Sequence, residues 1–119
     1  MHNFRELKIW QKSVTLVKAI YILTQTFPKE EIYGITNQIR RCAVSIPSNI
    51  AEGCGRNTNK QLIQFLDIAH GSSCELETQL IIAKELEFIN SEQLNLLIAD
   101  VHEVQKMIFG FKNSLKSQA

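Results

Sequence analysis

Residues 62–83 read LIQFLDIAHGSSCELETQLIIA, and in them Leu62, Leu66, Ala69, Ser73, Leu76, Leu80 and Ala83 recur at alternating steps of four and three. That spacing keeps one stripe on one side of an α-helix for roughly six turns. It is the pattern of near-parallel helix packing at a small crossing angle. The small residues at positions 69, 71, 72 and 73 allow a neighbouring helix to approach closely.

Three further helices are predicted around this one. The first spans about Glu6 to Thr26 and carries two adjacent stripes. One is Leu7, Trp10, Val14, Val17 and Tyr21; the other is Ile9, Leu16, Ile20, Leu23 and Phe27. Together they cover roughly 200° of the wheel, about twice the minimum for a one-sided surface helix. Phe27-Pro28 ends it, because the residue before proline disfavours α geometry. Pro28 is then expected to open the second helix, with Glu30 and Glu31 at the positive end of its dipole. Its core stripe is Ile32, Ile35, Ile39, Cys42, Ala43, Ile46 and Ile50, with Gly53 and Gly55 at its end. Pro47 lies inside the stripe and removes a hydrogen bond to the Ala43 carbonyl, which predicts a kink over Ser45–Asn49. Thr58 with Gln61, and Asn90 with Gln93, read as capping boxes opening the third and fourth helices. The third fades near Phe88-Ile89. The fourth buries Leu94, Leu97, Ile98, Val101, Val104, Ile108, Phe111 and Leu115, and the tail Ser117–Ala119 is expected to fray.

With 119 residues, only five Gly and two Pro, and no linker or repeat, residues 1–119 are expected to form one domain. The fold class is all-α: an up-and-down antiparallel four-helix bundle with a Pro-kinked second helix.

Net charge is +1, far below the basic excess of a dedicated nucleic-acid binder. Cys42, Cys54 and Cys74 are odd in number and contain no C-x-x-C, so they read as buried free thiols of a reducing cytosol. The N-terminus lacks a signal peptide's apolar core, and no apolar run reaches the ~20 residues of a membrane span. A cytoplasmic location without membrane contact is the expectation.

Chemistry-bearing motifs are sparse. His70, Cys74 and Glu77 share a helix face, but nothing completes a three- or four-ligand zinc set. No G-x-S-x-G, phosphate-binding glycine loop or facing carboxylate pair occurs. No catalytic residue, metal or cofactor is therefore assigned, and an enzyme is not expected. Two polar groups stand out. Glu75 and Gln79 interrupt a second α-helical stripe between Phe65, Ile68 and Ile82, Leu86. They are either water-facing rim residues or a polar layer that sets register in a subunit interface. Arg40, Arg41, Arg56 and Lys60 are either solvated, ion-paired side chains or phosphate contacts whose binding weakens with salt.

Residues 38–56, QIRRCAVSIPSNIAEGCGR, resemble the signature of the 23S rRNA intervening-sequence protein family, also called the four-helix bundle protein family. Leu7–Lys12, Phe27-Pro28, Glu31–Gly34 and Ala69–Glu77 agree with it, while Cys42 stands where the family usually has alanine. The resemblance implies a small bacterial protein, similar in fold to a homopentameric, barrel-shaped group. That group includes the accessory protein of diversity-generating retroelements, which partners a reverse transcriptase and binds nucleic acid through a basic surface.

The signature itself has two readings. In one, Ser45, Ser48 and Asn49 satisfy carbonyls around Pro47, while Glu52 pairs with Arg40 or Arg41 of this or a neighbouring subunit. In the other, Asn49, Glu52 and Arg56 form an exposed ligand surface. The expected function is a non-enzymatic homo-oligomeric scaffold or accessory protein, a pentamer by resemblance, in contact with RNA or a nucleic-acid enzyme. The alternatives are a self-associating structural protein without nucleic-acid affinity, and a small-ligand protein or enzyme with a site between subunits.

Overall fold

The computed structural model describes residues 2–117. Phe4–Glu6 form a 3-10 turn, followed by α1 (Lys8–Thr24), a second 3-10 turn (Lys29–Glu31), α2 (Ile35–Cys54), α3 (Asn59–Glu85) and α4 (Ser91–Ser117). The expected frayed tail falls largely beyond this range: Ser117 closes α4, and Gln118 and Ala119 lie outside the described residues.

The helices run up and down. On α3 and α4, Glu77 meets His102 and Asp67 meets Lys112, so numbers fall on one helix as they rise on the other. Cys42 meets Ser72 and Gly53 faces Leu62, which makes α2 and α3 antiparallel as well. Lys12 pairs with Asp100 across α1 and α4. The molecule measures 47 × 24 × 20 Å, the long dimension set by the two 27-residue helices.

The α3 heptad is the centre of the core. Leu66, Ala69, Ser73, Leu76, Leu80 and Ala83 are fully buried, and Leu62 nearly so. They pack against Ile39, Ala43, Ile46 and Ile50 of α2 and Val101, Val104 and Ile108 of α4. Of the two α1 stripes, the Ile9–Leu16–Ile20 stripe enters the core, joined by buried Ser13 and Thr24. Leu7, Trp10 and Val17 of the other stripe are half-buried, and Val14 and Tyr21 are exposed.

The start of α2 differs from the sequence expectation. Pro28 opens only the short turn Lys29–Glu31, and the helix begins at Ile35. Gly34, at φ −108° and ψ −121°, breaks the helical path between them. Glu31 therefore does not sit in the first turn of α2; its carboxylate instead receives the Ile35 N–H at 3.5 Å. Ile32 is consequently 46% exposed rather than part of the core. The helix then continues through Pro47, which is buried, to Cys54.

The other ends follow side-chain chemistry. Thr58 accepts from Gln61 N–H at 3.1 Å, and Asn90 and Gln93 bond reciprocally at 2.8 and 2.9 Å. No glycine ends α3. Glu87 takes φ 64° instead, and the Phe88 and Glu87 N–H groups reach back to the Ala83 and Lys84 carbonyls, a Schellman-type stop.

Gly53 is where α2 and α3 come closest. A Cβ there would lie 2.8 Å from both Leu62 Cδ1 and Phe65 Cβ. Gly71 and Gly110 face open space, so the small residue at 71 is not needed for packing within the chain. Alanine should therefore act with opposite sign at these sites. Gly53→Ala should destabilise by about 1–3 kcal/mol through overpacking, whereas Gly71→Ala should stabilise by about 0.5–1 kcal/mol through helix propensity. Urea unfolding of both variants tests this, and equal signs would contradict the close-packed α2–α3 seam.

Candidate functional site

The polar residues singled out in sequence converge only in part. Ser45, Glu75, Gln79 and Arg41 line one cleft of about 320 Å³ between α2 and α3. Ser45 lies one helical turn from Arg41 on α2, and Glu75 lies one turn from Gln79 on α3, so each helix presents a polar pair to the same groove. Sequence reading missed Cys42, Ser72, Asn37 and Gln38, which complete the lining. Asn37, Gln38 and Ser72 belong to the face with period 3.6 next to the apolar stripes, and only the antiparallel register brings the two faces together.

Hydrogen bonds tie the inner wall. Ser45 Oγ and Ser72 Oγ lie 2.8 Å apart, and the Cys42 thiol donates to the Ser72 carbonyl at 3.0 Å. Asn49 Nδ2 donates to the Ser45 carbonyl and hydroxyl at 2.8 and 2.9 Å. Asn49 and Ser45 thus form a polar link from α2 to α3, while Ser48 is exposed. Gln79 is only 9% exposed; its Nε2 donates to Glu75 Oε1 at 3.4 Å, and its buried Oε1 has no partner among the described residues. Burial, reinforced by the nearby Glu75 carboxylate, pushes the Cys42 thiol up to about 11.

The basic residues are dispersed. The Arg40 guanidinium lies over Tyr21 at 4.7 Å, and its Nε donates to Thr24 Oγ1 at 2.8 Å, on the α1 side. Arg41 faces the α2–α3 cleft. Arg56 pairs with Glu52 at 3.0 Å and covers Phe65, and Lys60 is exposed in the first turn of α3. Thirteen residues of helix, about 20 Å along the axis, separate Arg41 from Cys54, where α2 ends two residues before Arg56. Within the chain Glu52 takes Arg56 as its partner rather than Arg40 or Arg41.

Among the described residues no group of three or more His, Cys, Asp and Glu is placed to hold a metal ion. His70 and Cys74 do lie together at 3.7 Å, but Glu77 turns to His102 at 3.1 Å. Among the described residues no helix is long and apolar enough to cross a membrane.

An antiparallel bundle whose second helix carries this polar signature into a cleft with the third defines a recognisable class. Residues 5–110 match the model of the 23S rRNA-intervening sequence protein family, and the chain belongs to that family. A crystal structure from Bacteroides thetaiotaomicron, described as a protein with unknown function from the S23 ribosomal protein family, has the same fold. Its TM-score is 0.78 at 24% sequence identity, covering 87% of this chain and 97% of that one. A search of curated proteins finds no match.

The cysteines differ from the expectation that all three are buried. Cys42 and Cys54 are buried, and burial raises both thiols, but Cys74 is exposed. Because the thiolate is the reactive form, a disulfide reagent at neutral pH should titrate Cys74 alone in the native protein. Cys42 and Cys54 should react only on unfolding. Raising the pH from 9.0 toward about 11 should also lower stability, since the unfolded chain ionises at Cys42 while the folded one still holds the proton. Rapid native labelling of two or three thiols would contradict this burial pattern.

Proposed function

We propose that the protein is a non-enzymatic scaffold of the bacterial cytoplasm that assembles with copies of itself into a ring. The observation that carries this reading is the second stripe of α3. Phe65, Ile68, Ser72, Glu75, Gln79, Ile82 and Leu86 repeat the 3-4 spacing of the core stripe about a quarter-turn away. Ile68, Ile82 and Leu86 are 51%, 44% and 51% exposed, far more open than an ordinary core stripe. Phe65, Ser72, Glu75 and Gln79 of this stripe face α2 within the chain, while the exposed apolar residues Ile68, Ile82 and Leu86 at its two ends fit a helix of another subunit.

A second apolar groove, between α1 and α4, exposes Ile22 and Leu96. In a square of four helices the α2–α3 and α1–α4 edges are opposite, and two different sticky edges support head-to-tail contacts that close into a ring. Five subunits is the number the family resemblance suggests. RNA contact is a secondary property in this reading, because only Arg41 and Lys60 of the four basic candidates lack an ion pair or aromatic contact among the described residues.

Light scattering tests the assembly directly. The expected result is a mass five times that of the chain, falling toward one chain in the double variant Ile68→Glu, Ile82→Glu, with helicity unchanged. A monomeric wild type would overturn the ring. An RNA titration at low and moderate salt separates the two scaffold readings. Retention that weakens with salt and is lost in Arg41→Ala, Lys60→Ala supports an accessory role with RNA, and indifference to RNA leaves a scaffold for proteins.

A further inference from the structure

Among the described residues the α2–α3 cleft holds an unsatisfied acceptor and two opposite charges that form no ion pair. Gln79 Oε1 is buried without a partner among the described residues. Its amide orientation follows from Glu75: with Nε2 3.4 Å from Glu75 Oε1, turning the amide would set two acceptors face to face. The oxygen therefore awaits a donor, and a buried carbonyl without one is costly. Glu75 supplies a carboxylate beside it, so a positively charged N–H is favoured over a neutral one. Arg41 brings a guanidinium to the same cleft from α2, yet it forms no ion pair with Glu75 within 4 Å. The volume of about 320 Å³ lies at the small end of ligand pockets.

We propose that this cleft binds a small zwitterion, of amino-acid size, whose ammonium donates to Gln79 Oε1 and Glu75 while its carboxylate meets Arg41. The Ser45–Ser72 hydroxyl pair and the Cys42 thiol form the inner wall and are already engaged with one another. They shape the site, and the unpaired groups read the ligand. A cation at the carboxylate end and an anion at the guanidinium end are both required, which excludes simple amines and simple acids as the preferred occupants. Every residue lining the site comes from one chain.

The test follows the side-chain amide of Gln79 and the Arg41 Nε–H by nitrogen–proton NMR, in the full chain, during titration with four probes. γ-Aminobutyrate carries both charges, ethylammonium and propionate carry one each, and tetramethylammonium carries charge without an N–H. γ-Aminobutyrate should shift both signals with millimolar affinity, within reach of a ligand of few heavy atoms. Ethylammonium should move Gln79 alone and bind roughly tenfold more weakly, the worth of one charged hydrogen bond. Gln79→Met keeps the side-chain size and should abolish binding, and Arg41→Ala, on the surface, should reduce γ-aminobutyrate to the level of ethylammonium. The proposal is overturned if no probe moves Gln79, if tetramethylammonium binds as well as ethylammonium, or if Gln79→Met binds unchanged. Shifts at Gln79 that follow dilution of an assembly and no probe would also overturn it, assigning the missing donor to a second copy. Light scattering on the same samples keeps the fate of the ring separate from that of the ligand.

Discussion

The close antiparallel contact of α2 with α3 is the constraint on which the rest of the molecule depends. It is made where side chains are smallest. Gly53 lies against Leu62 and Phe65, while Ala43 on α2 and Ala69 and Ser73 on α3 are fully buried. Large residues between them, Ile39, Ile46, Ile50, Leu66 and Leu76, are also fully buried. With dense packing of this kind, shifting one helix along the other by a turn would leave voids and clashes together, so the register is narrowly determined. The register in turn places Cys42 and Ser45 opposite Ser72, and so builds the cleft.

That cleft is a polar interruption in a mostly apolar seam. Ser45 and Ser72 satisfy each other across the helices and Asn49 donates to Ser45 within α2, the ordinary condition for buried polar groups. Gln79 departs from that condition at one atom, as does the Thr36 hydroxyl in a separate small cleft under the α1–α2 connection. Thr36 has no charged neighbour of each sign converging on it in the way Arg41 and Glu75 converge near Gln79. The difference lies in chemistry, since the two clefts are similar in volume.

The arginines illustrate how local geometry redistributes charge. A net charge of +1 left room for a local patch. Helical geometry turns adjacent residues about 100° apart, so Arg40 stacks toward α1 as Arg41 opens on α3. Arg56, at the far end of α2, is engaged by Glu52 one turn away and by Phe65. Both partners of that pair are roughly half exposed, so it contributes little to stability.

Sequence periodicity determined much of this protein. A strict heptad makes α3 and its buried face legible, because a stripe that repeats every seven residues has only one way to be buried along a helix. The capping pairs Thr58–Gln61 and Asn90–Gln93 were legible for the same local reason. Tertiary structure decided what depends on neighbours. Both α1 stripes are apolar, and only packing selects Ile9, Leu16 and Ile20 for the core while Val14 and Tyr21 stay outside. The start of α2 shifted from Pro28 to Ile35 because Gly34 leaves the helical path, a conformation that propensity at Pro28 does not report. The cleft was legible as separate residues, Arg41, Ser45, Glu75 and Gln79, but not as a site. Those residues are up to 38 positions apart, and their meeting depends on the relative register of two helices, a long-range quantity that no local pattern encodes.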